Sequence, residues 1–383
     1  MQTSYAHFTC ELNPRMGGVL TGLEITTTNL AKFGIMGTII SLGNSKEATR
    51  NLGARLTRLN SIGVDSITSK SMFTNSYGIG WNFGIHKKLK DRSTYSLVVL
   101  HQIYTFSTYI GYRYAKQNGI PFAVFPHGSL TRYHESDSRF IKRIAKSLII
   151  SRILKACSAI IVTCDGELED LEASLRSKAI LIPYGATVEA TEVPIDSWEP
   201  KNPENFRLVF SGRFDKKKNI PLLLEAIRLL VIRYPQVVLD IAGSGSLDEN
   251  EFYSRLVKKL RIENNVVFHG WVEKHQLNKL ISSARALVLP SENENFALVV
   301  SEALCVGVPC VVSRFVGTSD IVAKHNAGVV ISELSPQVLA AGIEKVFRGD
   351  QNGYRDAAFK ATREELDWSK IACSWKNLPQ ILA

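Results

Sequence analysis

Two glutamates eight positions apart, Glu294 and Glu302, lie in Val288-Leu-Pro-Ser-Glu-Asn-Glu-Asn-Phe-Ala-Leu-Val-Val-Ser-Glu-Ala-Leu-Cys-Val-Gly-Val-Pro309, where a buried apolar run gives way to a helical pattern. If the chain turns helical near Asn295, the two carboxylates stand up to ~12 Å apart along the axis, and the free N–H groups of the first turn open between them. That arrangement suits a diphosphate: its charge rests on the helix N-terminus, while one carboxylate accepts hydrogen bonds from sugar hydroxyls and the other from ribose hydroxyls. A plainer reading of the same residues makes Glu294 a partner of the helix dipole and Glu302 a solvated helix residue.

A second constellation is Phe206-Arg-Leu-Val-Phe-Ser-Gly-Arg-Phe-Asp-Lys-Lys-Lys218, a strand pattern, a glycine turn and then basic residues that open a helix at Pro221. Arg213 offers a planar fork to phosphate oxygens, and Lys218 a compact charge. Together they would stabilise a departing nucleoside diphosphate, although a basic loop standing alone is also consistent with simple solvation. No Asp-x-Asp pair occurs in the chain. The acidic bridge that holds a divalent cation in many sugar transferases is therefore absent in its usual form, and the positive charge must come from side chains and backbone.

Both constellations need strands that end in one crevice. Short β-branched runs alternate with helical patterns through nearly the whole chain, which predicts parallel sheets covered by helices on both faces. The candidate strands of the first half are Tyr5–Cys10, Gly37–Leu42, Ser96–His101, Phe122–Pro126, Ala159–Thr163 and Ala179–Ile182. Those of the second are Arg207–Ser211, Val237–Ala242, Val266–His269, Ala286–Pro290, Cys310–Ser313 and Gly328–Ile331. Prolines 194, 200 and 203 interrupt an aperiodic stretch between the halves. The α/β reading is therefore a first Rossmann-like domain for acceptor binding over 1–188, a hinge linker over 189–205, and a second such domain for nucleotide-sugar binding over 206–365. A final helix over 366–383 is expected to pack back on the first domain. Two doubly wound domains facing across a cleft are the simplest architecture, with ligands at the carboxyl ends of the strands.

Composition bounds the rest. At 383 residues the chain exceeds what one core usually supports, and 45% hydrophobic with 21% charged residues excludes disorder or a fibre. The net charge of +10 favours acidic partners. The first ten residues carry no basic start and no apolar core of signal-peptide length, and no run approaches the roughly 18 apolar residues of a membrane span. Six scattered cysteines (10, 157, 164, 305, 310 and 373) form no C-x-x-C pair. Neither a zinc site nor a disulfide framework is expected, and a reducing, cytoplasmic setting fits.

Gly212-Arg213 followed by Lys218, the Pro290-Ser291 step, the two glutamates and the Gly307-Val-Pro309 turn resemble the donor-binding half of the retaining glycosyltransferases of family 4, which adopt the GT-B fold. The first half is similar more loosely, through Gly17-Gly18, His101, Phe125-Pro-His127-Gly-Ser-Leu and Ile182-Pro-Tyr-Gly185. The resemblance spans roughly residues 5 to 380. It implies that Arg213 and Lys218 hold the diphosphate, that Glu302 binds ribose, and that Glu294 lies beside the donor sugar with the backbone of Asn295, Phe296, Ala297, Leu298 and Val299. It further implies that His127 reaches the sugar, that Gly17 and Gly18 let backbone approach the phosphates, and that Trp271 and Val272 line the nucleobase. The implied activity is metal-independent transfer, with retention, from a nucleoside-diphosphate sugar to a glycan or lipid-linked acceptor in polysaccharide or glycoconjugate biosynthesis. No cofactor is expected.

Three positions depart from the family pattern. Ala297 stands where glycine is usual, Asp320 where glutamate is frequent, and Tyr184 where asparagine is common. His127 is read as a sugar-hydroxyl contact, with a proton mediator as the other role. Seven basic residues between Thr131 and Ala156 admit a peripheral contact with an anionic membrane or an ordinary amphipathic helix. No nucleic-acid motif is evident, and Gly243-Ser-Gly245 lacks the third glycine of a dinucleotide fingerprint. An epimerase of the same fold, or a catalytically silent nucleotide-sugar binder, is the remaining alternative.

Overall fold

Apolar runs without alternation require strands buried on both faces, and the chain supplies them twice. The computed structural model describes residues 3–9, 18–42, 65–69, 95–131, 149–186 and 206–382. It resolves into two units, Met1–Tyr184 with Trp368–Ala383, and Gly185–Asp367. Cys10, Gly17, most of residues 43–76, most of the basic segment 131–156 and the hinge 189–205 lie outside the described residues.

In the first unit, β1 (Thr3–Thr9), β2 (Ile35–Leu42), β3 (Asp65–Ser69), β4 (Leu97–His101), β5 (Phe122–Phe125), β6 (Ala159–Val162) and β7 (Ala179–Leu181) form one sheet in the order β3-β2-β1-β4-β5-β6-β7. All six pairings are parallel. Its helices are α1 (Gly18–Lys32), α2 (Phe106–Asn118), α3 (Ser151–Ala156), α4 (Asp165–Asp170) and α5 (Ala173–Arg176). Every residue of β4, β5 and β6 is buried, and Phe8, Leu100, Val124, Ile153 and Ile160 centre the core. The short polar β3 is not among the strands read from the sequence. It sits at the sheet's edge, where a strand is held by backbone pairing to β2 and needs no apolar pattern.

The second unit orders β8 (Arg207–Ser211), β9 (Val238–Ala242), β10 (Val266–Gly270), β11 (Ala286–Leu289), β12 (Cys310–Ser313) and β13 (Gly328–Ile331) as β10-β9-β8-β11-β12-β13, again all parallel. Around it lie α6 (Ile220–Val231), α7 (Leu247–Leu260), α8 (Lys274–Ser283), α9 (Leu298–Cys305), α10 (Ser319–His325), α11 (Pro336–Arg348) and α12 (Gln351–Glu365). The strand order reverses between the adjacent β8 and β11, and that switch point is where doubly wound sheets bind ligands.

The terminal helix, α13 (Trp368–Leu382), packs in the first unit and carries Pro379 in its interior. Proline has no N–H, so the carbonyl four residues back, that of Trp375, loses its helical partner. The buried Tyr5 hydroxyl of β1 donates to that carbonyl instead. Among the described residues no helix is long and apolar enough to cross a membrane.

Candidate functional site

The basic turn is built by backbone geometry. After β8 the chain passes Gly212, where an added Cβ would stand 3.0 Å from Cε and 3.1 Å from Nζ of Lys218, so the absent side chain makes room for the lysine to fold back over the strand end. Asp215 then caps a 3₁₀ turn over Lys216–Lys218, its carboxylate accepting from the Lys217 N–H at 3.2 Å. Asn219, at φ 53°, ends the turn in the left-handed region and hands the chain to α6. The Lys217 carbonyl accepts from the Glu292 N–H at 2.7 Å, which ties this turn to the loop after β11.

Glu294 on that loop is fixed from both sides. Its N–H donates to the Phe315 carbonyl at 3.0 Å, and its carbonyl accepts from the Gly317 N–H at 2.9 Å. Its side chain, 12% exposed, has Lys218 Nζ 2.8 Å and Lys217 Nζ 4.0 Å from Oε1. Helix α9 starts at Leu298, three residues later than the sequence suggested. Pairing with the Val316 segment keeps the chain extended at Glu294, and the reversal waits for Ala297, at φ 61° and ψ 72°. The left-handed backbone at Ala297 costs roughly 1–2 kcal/mol for an L-residue with a Cβ. Asn295 and the buried Phe296 fill the intervening turn, and Leu298 and Val299 supply the first N–H groups of α9, which have no partner within the helix.

Glu302, in the second turn of α9, is not the solvated residue of the plainer reading. It is 5% exposed and ion-paired with Lys274 at the start of α8. Trp271, 73% exposed, and Val272 lie between β10 and α8, just ahead of that lysine. Arg213 holds its guanidinium 4.0 Å from the Asp215 carboxylate and keeps two thirds of its side chain in solvent. The structure thus joins Lys218 with Glu294, and adds two cations that sequence reasoning missed, Lys217 and Lys274. The run of three lysines was the available signal for the first. Lys274 had none, because only the fold brings α8 beside α9.

In the first unit, His127 follows β5 at φ 51°, a left-handed conformation that histidine adopts more readily than most residues. The adjacent Gly128 N–H donates to Oε1 of the buried Glu167 at 2.8 Å, and the Glu167 Oε2 accepts from the Thr163 N–H at 2.9 Å, which pins the turn. His127 Nε2 lies 2.8 Å from Nδ1 of His101, and its Nδ1 lies 2.8 Å from the Tyr184 hydroxyl. His101 Nε2 in turn meets His7 Nδ1 at 3.0 Å. Burial pushes the His127 and His7 imidazoles down to about 3 and holds His101 well below its ordinary range, so all three are neutral. Gly18 is the exposed first residue of α1.

His325, Glu364 and Glu365 are the one group among the described residues that offers three metal-ligand atoms within reach of one another. Lys324 Nζ lies 2.7 Å from Glu365 Oε1, and His325 Nε2 lies 3.0 Å from the same oxygen, so the cluster serves as an ion-paired tie between α10 and α12.

Residues 195–364 match the model of the family described as Glycosyl transferases group 1. An uncharacterized glycosyltransferase, MJ1607 of Methanocaldococcus jannaschii, is 32% identical over 200 residues, covering 48% of this chain and 50% of that protein. The match spans between a third and two thirds of the length of such curated relatives. Among solved structures, Anabaena Alr3699/HepE in complex with UDP and glucose superposes with a TM-score of 0.73 at 17% identity, covering 99% of each chain. Sucrose-phosphate synthase from Thermosynechococcus elongatus gives 0.72 at 19% identity, again over 99% of each. The fold is GT-B.

Proposed function

We propose that this chain is a glycosyltransferase that moves a sugar from a nucleoside-diphosphate donor to a glycan or lipid-linked acceptor, with retention and without a metal, in polysaccharide or glycoconjugate biosynthesis. The observation that carries the reading is the convergence of Lys217 and Lys218 on Glu294 at the ends of the neighbouring strands β8 and β11, beside the open N-terminus of α9. Two cations and a helix terminus at a switch point form an anion cradle, and a carboxylate within it is an acceptor for sugar hydroxyls. The group 1 family match over the same unit and the fold shared with HepE support it.

In this mechanism the acceptor hydroxyl oxygen bonds to the anomeric carbon on the face the leaving group vacates. The bond from that carbon to the diphosphate oxygen breaks, and the hydroxyl proton passes to a departing phosphate oxygen. Lys218 and Arg213 act as electrophilic supports for the charge that builds on the diphosphate, Glu294 receives hydrogen bonds from the sugar, and Glu302 from the ribose.

A thermal-shift panel of nucleoside diphosphates and their sugars tests the donor half, since a bound donor raises the melting temperature by mass action. Release of free nucleoside diphosphate that requires an acceptor and survives a chelator supports metal-independent transfer. Binding without release identifies a silent binder, and release that needs no acceptor counts against the transferase. No shift with any donor overturns the reading.

A further inference from the structure

Across the carboxyl ends of its strands the first unit buries a chain of side chains that the transfer mechanism above does not use: His7 in β1, His101 at the end of β4, His127 beyond β5 and Tyr184 beyond β7. Three ring-to-ring or ring-to-hydroxyl contacts of 3.0, 2.8 and 2.8 Å join them in series. His127 is the most accessible of the four; the other three are at most 5% exposed. Its ring stacks on Phe125 with centroids 4.1 Å apart, and Glu167 holds the turn beneath it.

A neutral imidazole has one N–H and one lone pair. In series, only two arrangements avoid placing two lone pairs or two N–H groups face to face. Either every ring carries its proton on Nδ1 and donates toward Tyr184, or every ring carries it on Nε2 and the Tyr184 hydroxyl donates into the chain. The free end decides between them. Among the described residues His7 Nε2 is buried with no hydrogen-bond partner. An orphaned buried N–H is the rarer and costlier of the two defects, whereas a bare lone pair is tolerated. The Nδ1–H series leaves only the lone pair there.

We propose that His7 and His101 are positioning residues that fix His127 in its Nδ1–H tautomer, so that His127 meets a sugar ligand as a hydrogen-bond donor to oxygen and does not serve as a base. In this structure that Nδ1–H is given to the buried Tyr184 hydroxyl. The transferase reading supplies only the identity of the ligand; the tautomer follows from the relay.

The test begins with long-range proton–nitrogen spectra of the intact protein carrying ¹⁵N-histidine at pH 7. Three imidazoles with protonated Nδ1 and bare Nε2 are expected, and a His127 protonated on Nε2 overturns the proposal. In His101→Leu the His127 signal should lose its single tautomer. His101→Gln, whose amide spans both contacts, should restore it. With the best UDP-sugar donor, His101→Leu should lower kcat by roughly 10- to 100-fold at unchanged donor KM, His101→Gln should stay near the wild type, and His101→Leu combined with His127→Leu should be no worse than His127→Leu alone. Additive losses, or a full-speed His101→Leu, overturn it. A wild type that turns over no donor defeats the transferase reading, while the spectrum still decides the relay.

Discussion

The ammonium of Lys218 stands 2.8 Å from Oε1 of Glu294, yet among the described residues that buried oxygen receives no directed hydrogen bond. The pair is held by charge and not by directed donation. An N–H of Lys218 therefore remains available to turn toward an incoming phosphate without leaving the carboxylate unneutralised, because Lys217 is also within 4.0 Å.

Lys218→Met should consequently cost turnover more than fold. Loss of one preorganised electrophilic donor typically lowers kcat about 10²- to 10³-fold, and this is the expected drop in nucleoside-diphosphate release. Arg213→Ala should fall in the same range with an unchanged melting temperature, since its guanidinium is mostly solvated. Unaltered turnover in either variant removes that residue from the mechanism.

Ala297 holds a backbone conformation that suits glycine. Ala297→Gly relieves the left-handed strain of about 1–2 kcal/mol and gives back part of it in unfolded-chain entropy. A net gain of about 0.5–1 kcal/mol is expected in urea unfolding of the second unit, and a loss would contradict the strain.

Gly22 in α1 lies against Tyr184: an added Cβ would stand 2.6 Å from the ring's Cζ and from its hydroxyl oxygen. Gly22→Ala gains helix propensity but forces a buried aromatic aside, and overpacking of this kind costs about 1–3 kcal/mol. Lower stability together with a perturbed His127 resonance is expected. A stabilised protein would show that the ring yields freely.

Acid should destabilise the first unit well before its carboxylates titrate. His7 and His127 resist protonation down to about 3 when folded, against an ordinary 6.5, so between these values the unfolded chain binds more protons and stability falls as pH drops. Each contributes a loss of about 2 kcal/mol by pH 5 on these figures. Denaturant titrations at pH 7 and pH 5 measure it, and equal midpoints would mean the imidazoles charge freely in the folded state.

Tyr5→Phe should cost about 1–3 kcal/mol, because it strands the buried Trp375 carbonyl that Pro379 leaves without a helical donor. Restoring the helical donor with Pro379→Ala in the same chain should recover part of that loss.

What the sequence made legible was whatever repeats locally. All twelve strands read from apolar runs are present, because burial on both faces writes itself into consecutive residues. The edge strand β3 escaped, since Asp-Ser-Ile-Thr-Ser is held by backbone pairing and carries no pattern of its own. Glu294 and Lys218 were found because their spacing along the chain is distinctive. Lys274 and the links from His7 through His101 to Tyr184 were not, because each contact joins elements far apart in sequence, and nothing at position 7 announces position 101.

The tie between Tyr5 and Trp375 also orders events at birth. A ribosome delivers Tyr5 more than three hundred residues before the helix that covers it, so the nascent first unit carries Tyr5 unsealed while the second unit is made. Removing the helix Trp368–Leu382 would therefore damage a sheet that begins at Thr3.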